Sequence, residues 1–240
     1  MNFKKEQIIS LSHPLYNNGQ EHFPYAVECK GRMNKDWYIE CVCTLGSHCG
    51  THVEVPYHHD QFGQDVKDFP IENLIGECVV LNVEGKQPGE AITAEDLQKY
   101  KDLLRENDIV FLHTGYDKVY REENWQPYPY VSEEALAFLL QYKIRVLGTD
   151  ASGIEIVDGY SPSGRMKELY GEPIHVTCFK HNVAIVECRC LSQTMLAWEI
   201  RSSASTFARR EYLRERYLSP PSIPAFAPHS VRSFRGNLAF

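Results

Sequence analysis

The chain has 240 residues, enough for one domain with a sizeable buried core. Hydrophobic residues at 43%, aromatics at 12% and charged residues at 24% sit near globular averages and exclude a disordered or fibrous chain. A net charge of −7 argues against nucleic acid as the main partner, because phosphate binding needs a concentrated positive field.

No apolar run approaches the roughly 18 residues that span a bilayer. The opening MNFKKEQIISLSH turns polar before it could form the apolar core of a signal peptide. The expectation is a cytosolic protein with no membrane contact, folded as one domain over residues 1–240. Its eight cysteines are then expected to be reduced and mostly buried.

In chain order, IISLSH at 7–12 reads as a short strand, and PLYNNGQ after it as turn chemistry. YIECVCTL at 38–45 is rich in β-branched, aromatic and cysteine residues and predicts a strand that runs into HCGTHVEVPYH at 48–58. CVVLNV (78–83), DIVFLHT (108–114), IRVLGTD (144–150) and NVAIVEC (182–188) predict buried strands. Helices are expected from Thr93 and Ser132, each a capping residue followed by acidic residues that suit the helix dipole. Residues 154–172 read as a loop followed by a helix, and Asp150 as a site carboxylate or a cap. The segment Phe207–Leu218 is a charged amphipathic stretch that suits a solvated face or a subunit contact. The proline-rich tail, 219–234, suits an edge strand or an extended wrap. Apolar strands separated by helices imply βαβ units, so the fold class is α/β with a mixed, partly parallel sheet.

The stretch at 48–58 concentrates the chemistry. Gly50 and Pro56 oppose a helix there, so an extended segment is expected, with His48, His52 and Glu54 on one face and the odd positions toward the core. His58 follows Pro56 and can fold back to the same point. Converging imidazoles and a carboxylate are costly without a partner, and a divalent cation such as zinc, manganese or iron resolves the cost.

These residues carry a resemblance. His48-Cys49-Gly50-Thr51-His52-Val53-Glu54-Val55-Pro56-Tyr57-His58 resembles the H-x-G-T-H-x-D-x-P-x-H signature of the cyclase family of metal-dependent hydrolases, which includes bacterial kynurenine formamidase and isatin hydrolase. IISLSHPL, VVLNV, AITAEDL, HTGY and SVRSF resemble other parts of that family, whereas residues 190–217 match poorly. The resemblance implies a swivelling β/β/α fold. It also implies that His48, His52 and Glu54 hold one metal ion, zinc or manganese, while Glu54, His175 and Glu187 serve a second where two are bound. His58 becomes the acid/base group, and Phe23 and Tyr25 fall where the family contacts substrate. His181 is a weaker alternative ligand that also reads as a surface turn residue. Glu54 stands where the signature has aspartate, which leaves one or two ions open.

The activity so implied is hydrolysis of a C–N bond in a small amide, formamide or lactam by activated water. The alternatives are a metal-dependent lyase or cyclase without net hydrolysis and a catalytically silent metal-binding protein. Expected partners are a small-molecule substrate and further copies of the chain, as a dimer or tetramer. Tyr116 and Trp125 are further aromatic candidates for a pocket.

Overall fold

In a computed structural model, the structure describes residues 9–17, 19–29, 37–156, 171–192 and 233–238. All of the charged stretch at 207–218, residues 157–170 of the expected loop and helix, and the proline-rich tail up to 232 lie outside the described residues, as do residues 7 and 8 of the expected first strand.

The strands are β1 (Tyr25–Cys29), β2 (Cys41–Leu45), β3 (His52–Glu54), β4 (Gly76–Asn82), β5 (Ala91–Ile92), β6 (Ile109–His113), β7 (Tyr130–Val131), β8 (Val146–Thr149), β9 (Ala184–Glu187) and β10 (Ser233–Leu238). The helices are α1 (Ala94–Gln98), α2 (Glu133–Leu140) and α3 (Pro173–Lys180). Thr93 caps α1 through a capping box with Asp96, and Ser132 caps α2 by accepting from the Ala135 amide, as the sequence predicts. Each such cap stabilises its helix by about 1 kcal/mol.

Six strands form the main sheet, in the order β10-β4-β6-β8-β9-β3. The central four, β4, β6, β8 and β9, run parallel, and β10 and β3 pair antiparallel at the two edges. The mixed, partly parallel sheet is therefore observed. β10 overlaps the expected tail segment at Ser233 and Phe234 alone.

Alternation divides the core between the two faces of the sheet. Val79, Leu81, Val110, Leu112, Leu147 and Ile185 pack beneath the helices with Leu97, Leu136 and Ile174. Cys78, Val80, Ile109, Phe111, Val146 and Val186 pack on the opposite face with Val55, Phe69 and Leu74. Both faces are covered, which is why these strands read as unbroken apolar runs.

Several local expectations are corrected. Ser12 makes only an isolated bridge to Arg189, so residues 9–12 form no strand there. β9 ends at Glu187, and Cys188 adopts a positive φ of 56°, so the expected strand at 182–188 stops one residue early. Of the eight cysteines, Cys49, Cys78, Cys178 and Cys188 are buried and Cys190 is half-buried. Cys29, Cys41 and Cys43 are exposed, because β1 and β2 form a separate two-stranded sheet.

Among the described residues no helix is long and apolar enough to cross a membrane.

Candidate metal centre

The site forms where β3 pairs with β9. Antiparallel register sets His52 opposite Glu187 and Glu54 opposite Ile185. Side chains two apart on a strand share a face, so His52, Glu54 and Glu187 project together toward the helical layer. From that layer α3 supplies His175, which is buried.

His48 reaches the cluster differently from the expectation. The extended segment is only three residues long, and Gly50 turns the chain at φ 69° before it begins. A side chain at Gly50 would also meet Leu15, so a glycine is required on both counts. Thr51 secures the turn: its hydroxyl donates to the Cys188 carbonyl and accepts from the His13 amide. After β3, Pro56–His58 forms a 3-10 turn that brings His58 back over the site. Cys49 and Val55 do face the core, but Tyr57 is exposed at 57%.

Glu54 is the hub. Its Oε1 lies 2.9 Å from His48 Nδ1, 3.3 Å from His52 Nε2 and 3.6 Å from His58 Nε2, while Oε2 lies 3.1 Å from His175 Nε2. Glu187 lies 3.7 Å from His52 Nε2 and 3.9 Å from His175 Nε2. Ligating atoms of His52, Glu54 and Glu187 fall within 4.8 Å of one another, as do those of His48, Glu54 and His58.

The tautomers suit ligation. His52 Nδ1 donates to the Gly50 carbonyl at 2.9 Å, which turns Nε2 into the cluster as the nitrogen that could ligate. His175 Nδ1 lies 3.3 Å from Glu155 Oε1, which also accepts the Ile174 and His175 amides at the start of α3. Glu155 thus aims His175 and raises its basicity, in the way carboxylates commonly orient metal-ligating histidines.

The electrostatics call for a cation. Burial pushes the Glu187 carboxyl up to about 7, and the Glu54 charge adds to this against the pull of His52 and His175. Burial alone would also raise Glu54, but hydrogen bonds from His175, His48 and His52 hold it well below the carboxylate range. Burial opposes charge on His175, yet Glu155 and Glu54 raise it to about 10. The same opposition leaves His52 raised, through Glu54 and Glu187. Protons therefore gather between two buried carboxylates, where a divalent ion would do the same work. The donor set of imidazoles and carboxylates, with no thiolate, suits a divalent metal ion.

His58 differs from the others. Burial, aided by the nearby His48, His59 and His175, depresses its imidazole below the ordinary value against the pull of Glu54. Its side chain is 32% exposed, so the depressed imidazole remains within reach of a bound molecule. A cleft of about 540 Å³ opens beside it, lined by Ser47, His48, His52, Tyr57, His58 and Lys67 among others.

The Phe23 ring lies 5.9 Å from that of His48. Tyr25 begins β1 opposite Leu45. Trp125 stacks on His22 at 4.0 Å, and Tyr116 donates from its hydroxyl to the Pro127 carbonyl, so both have packing partners. His181 caps α3, exposed, with Nδ1 2.9 Å from the Thr177 carbonyl. Asp150 is buried and accepts from the Thr114 amide and hydroxyl and the Gly115 amide, so it organises the turn after β6. Two residues escaped the sequence reading. One is Glu155. The other is His59, which stacks on His175 at 5.1 Å and pairs with Glu172 at 3.0 Å.

Residues 9–156 match the family described as "Putative cyclase", which is more than half the chain. The chain belongs to the cyclase family. Within it, the chain is similar to the kynurenine formamidase of Bacillus cytotoxicus, 26% identical over 193 residues, covering 77% of this chain and 82% of the relative. The kynurenine formamidase of Bacillus mycoides is 28% identical over 195 residues with the same coverage. An uncharacterized protein of Haemophilus influenzae is 34% identical over 102 residues, 41% of this chain and 71% of that one. Among solved structures, isatin hydrolase A from Labrenzia aggregata shares the fold with a TM-score of 0.65 at 19% identity, covering 77% of this chain and 81% of that one. This cyclase-family fold is the α/β arrangement expected from the sequence.

Proposed function

We propose that this cyclase-family chain is a metal-dependent hydrolase that cleaves a C–N bond in a small amide, formamide or lactam. The observation that carries the reading is Glu54, a single buried carboxylate within 3.6 Å of nitrogens from His48, His52, His58 and His175. The kynurenine formamidase relatives support amide chemistry.

His48, His52 and Glu54 would hold one ion, and Glu54, His175 and Glu187 a second where two are bound, as zinc or manganese. A bound ion would polarise the substrate carbonyl and make water easier to deprotonate near neutral pH. His58 is held neutral at the mouth of the cluster, so its Nε2 accepts a proton from the water that adds to the carbonyl. The same nitrogen then delivers that proton to the leaving amine. Glu155 keeps His175 aimed inward throughout, and the Phe23 ring beside His48 offers an apolar surface to a planar substrate.

Mass spectrometry of products from aryl formamides, lactams and esters, with the zinc- or manganese-loaded protein, tests the proposal. Hydrolysis adds one water to the summed product mass. Products with no net gain of water would instead indicate a lyase or cyclase. Bound metal without turnover across the library would indicate a silent metal-binding protein.

The proposal includes a cytosolic homo-oligomer, a dimer or tetramer. The large apolar side chains of Trp37 and Phe62, each 88% exposed, support a further contact surface. Light scattering during size exclusion measures the mass directly.

A further inference from the structure

The hairpin that leads into the metal centre carries three exposed thiols. β1 and β2 pair antiparallel with Cys29 opposite Cys41 and Val27 opposite Cys43. Directly opposed residues in such a ladder point to the same face. The Cys29 and Cys41 sulfurs are accordingly 3.1 Å apart, in contact across the strands. A disulfide bond needs about 2.05 Å between sulfurs, with Cα atoms usually about 4.4–6.8 Å apart, a separation that opposed antiparallel residues satisfy. Small side-chain rotations, with no backbone rearrangement, close the remaining gap.

Exposure completes the case. Cys49, Cys78, Cys178 and Cys188 are buried, whereas both members of this pair face solvent and can be reached by a small oxidant. We infer that Cys29 and Cys41 form a reversible redox modification site, oxidised by a low-molecular-weight disulfide. The Cys29 thiolate attacks one sulfur of that disulfide, giving a mixed disulfide and releasing one thiolate. The Cys41 thiolate then attacks the Cys29 sulfur and releases the second. The protein loses two protons and two electrons, and the small disulfide is reduced to two thiols.

The bond would staple the hairpin at the end remote from the Tyr25–Leu45 pair. That nearer end continues, through the hydrogen bond from the Gly46 amide to the Pro24 carbonyl, to Phe23 and His48. An oxidant would thereby stiffen the segment that flanks the metal centre. The inference stands whether or not the chain hydrolyses amides, because the test reads covalent linkage.

The purified protein is incubated with oxidised glutathione, alkylated and digested with trypsin without reductant. The peptide Glu6–Lys30 contains Cys29 as its only cysteine, and Asp36–Lys67 contains Cys41, Cys43 and Cys49. A species at the summed mass of the two peptides less two hydrogens is expected, with tandem fragmentation placing the link at Cys41. It should disappear on treatment with dithiothreitol. Cys29→Ser and Cys41→Ser should each abolish it, and Cys43→Ser should leave it intact. Absence of the linked species in the wild-type protein, its persistence in Cys41→Ser through Cys43, or a link that dithiothreitol does not remove would overturn the inference.

Discussion

His52 and Glu187 face each other directly across the β3–β9 pair, although 135 positions separate them in sequence. One antiparallel register therefore brings a ligand candidate from each strand to the same face, and Glu54 joins them two residues along. Replacing His52 with alanine removes a nitrogen that lies 3.3 Å from Glu54 and 3.7 Å from Glu187. Elemental analysis of purified His52→Ala should show the divalent metal content falling to a small fraction of the wild-type value, and undiminished metal would refute the assignment.

His58→Ala should behave in the opposite way. The residue lies on the 3-10 turn beyond Pro56, outside the strand that aims His52 and Glu54. Loss of a general acid/base lowers rate by about 10² to 10⁴ while metal remains bound. Turnover and metal content measured together on the same preparation separate the two roles. If His58→Ala empties the site as fully as His52→Ala, His58 is a ligand.

Glu155→Gln keeps an oxygen for the two amides at the start of α3 but removes the negative charge beside His175 Nδ1. Metal affinity should weaken by about 10-fold or more, with the fold retained. Chelator competition provides the constant, and circular dichroism checks the fold.

The site should bind metal more tightly as pH rises. His175, raised to about 10, carries a proton throughout the neutral range, and a ligating cation must displace it. Below about pH 7 Glu187 also holds a proton. Both groups have metal-free pKa values above their ordinary ones, so each proton is retained as pH falls and competes with the ion. As pH is lowered, apparent zinc affinity should fall by about tenfold per pH unit down to 7 and more steeply below it. Calorimetric titrations between about pH 5.5 and 8 read the slope, and a flat profile would contradict the proton count.

The strands of the sheet were legible because they are buried on both faces, so Val79–Leu81 and Ile109–Leu112 read as apolar runs needing cover. His52 and Glu54 were legible by parity, and His175 and Glu187 through the family resemblance. His48 joined them for a different physical reason, the positive-φ turn at Gly50, which strand alternation does not describe. Glu155 and His59 had no local signal. Glu155 acts on a residue 20 positions ahead, and His59 stacks on His175 from a distant part of the chain, so both relationships exist only once α3 docks on β9. The Cys29–Cys41 contact depends likewise on hairpin register, which a row of alternating cysteines leaves undetermined.

β3 is three residues long and, in the six-stranded sheet, pairs with β9 alone. A short edge strand detaches more readily than the interior strands to which the rest of the sheet is bound on both sides. Detachment would carry His52 and Glu54 away from Glu187 and His175 together, dismantling the centre in a single motion. The residence time of a captured ion would then be timed by fraying at the sheet margin, well before the molecule as a whole comes apart.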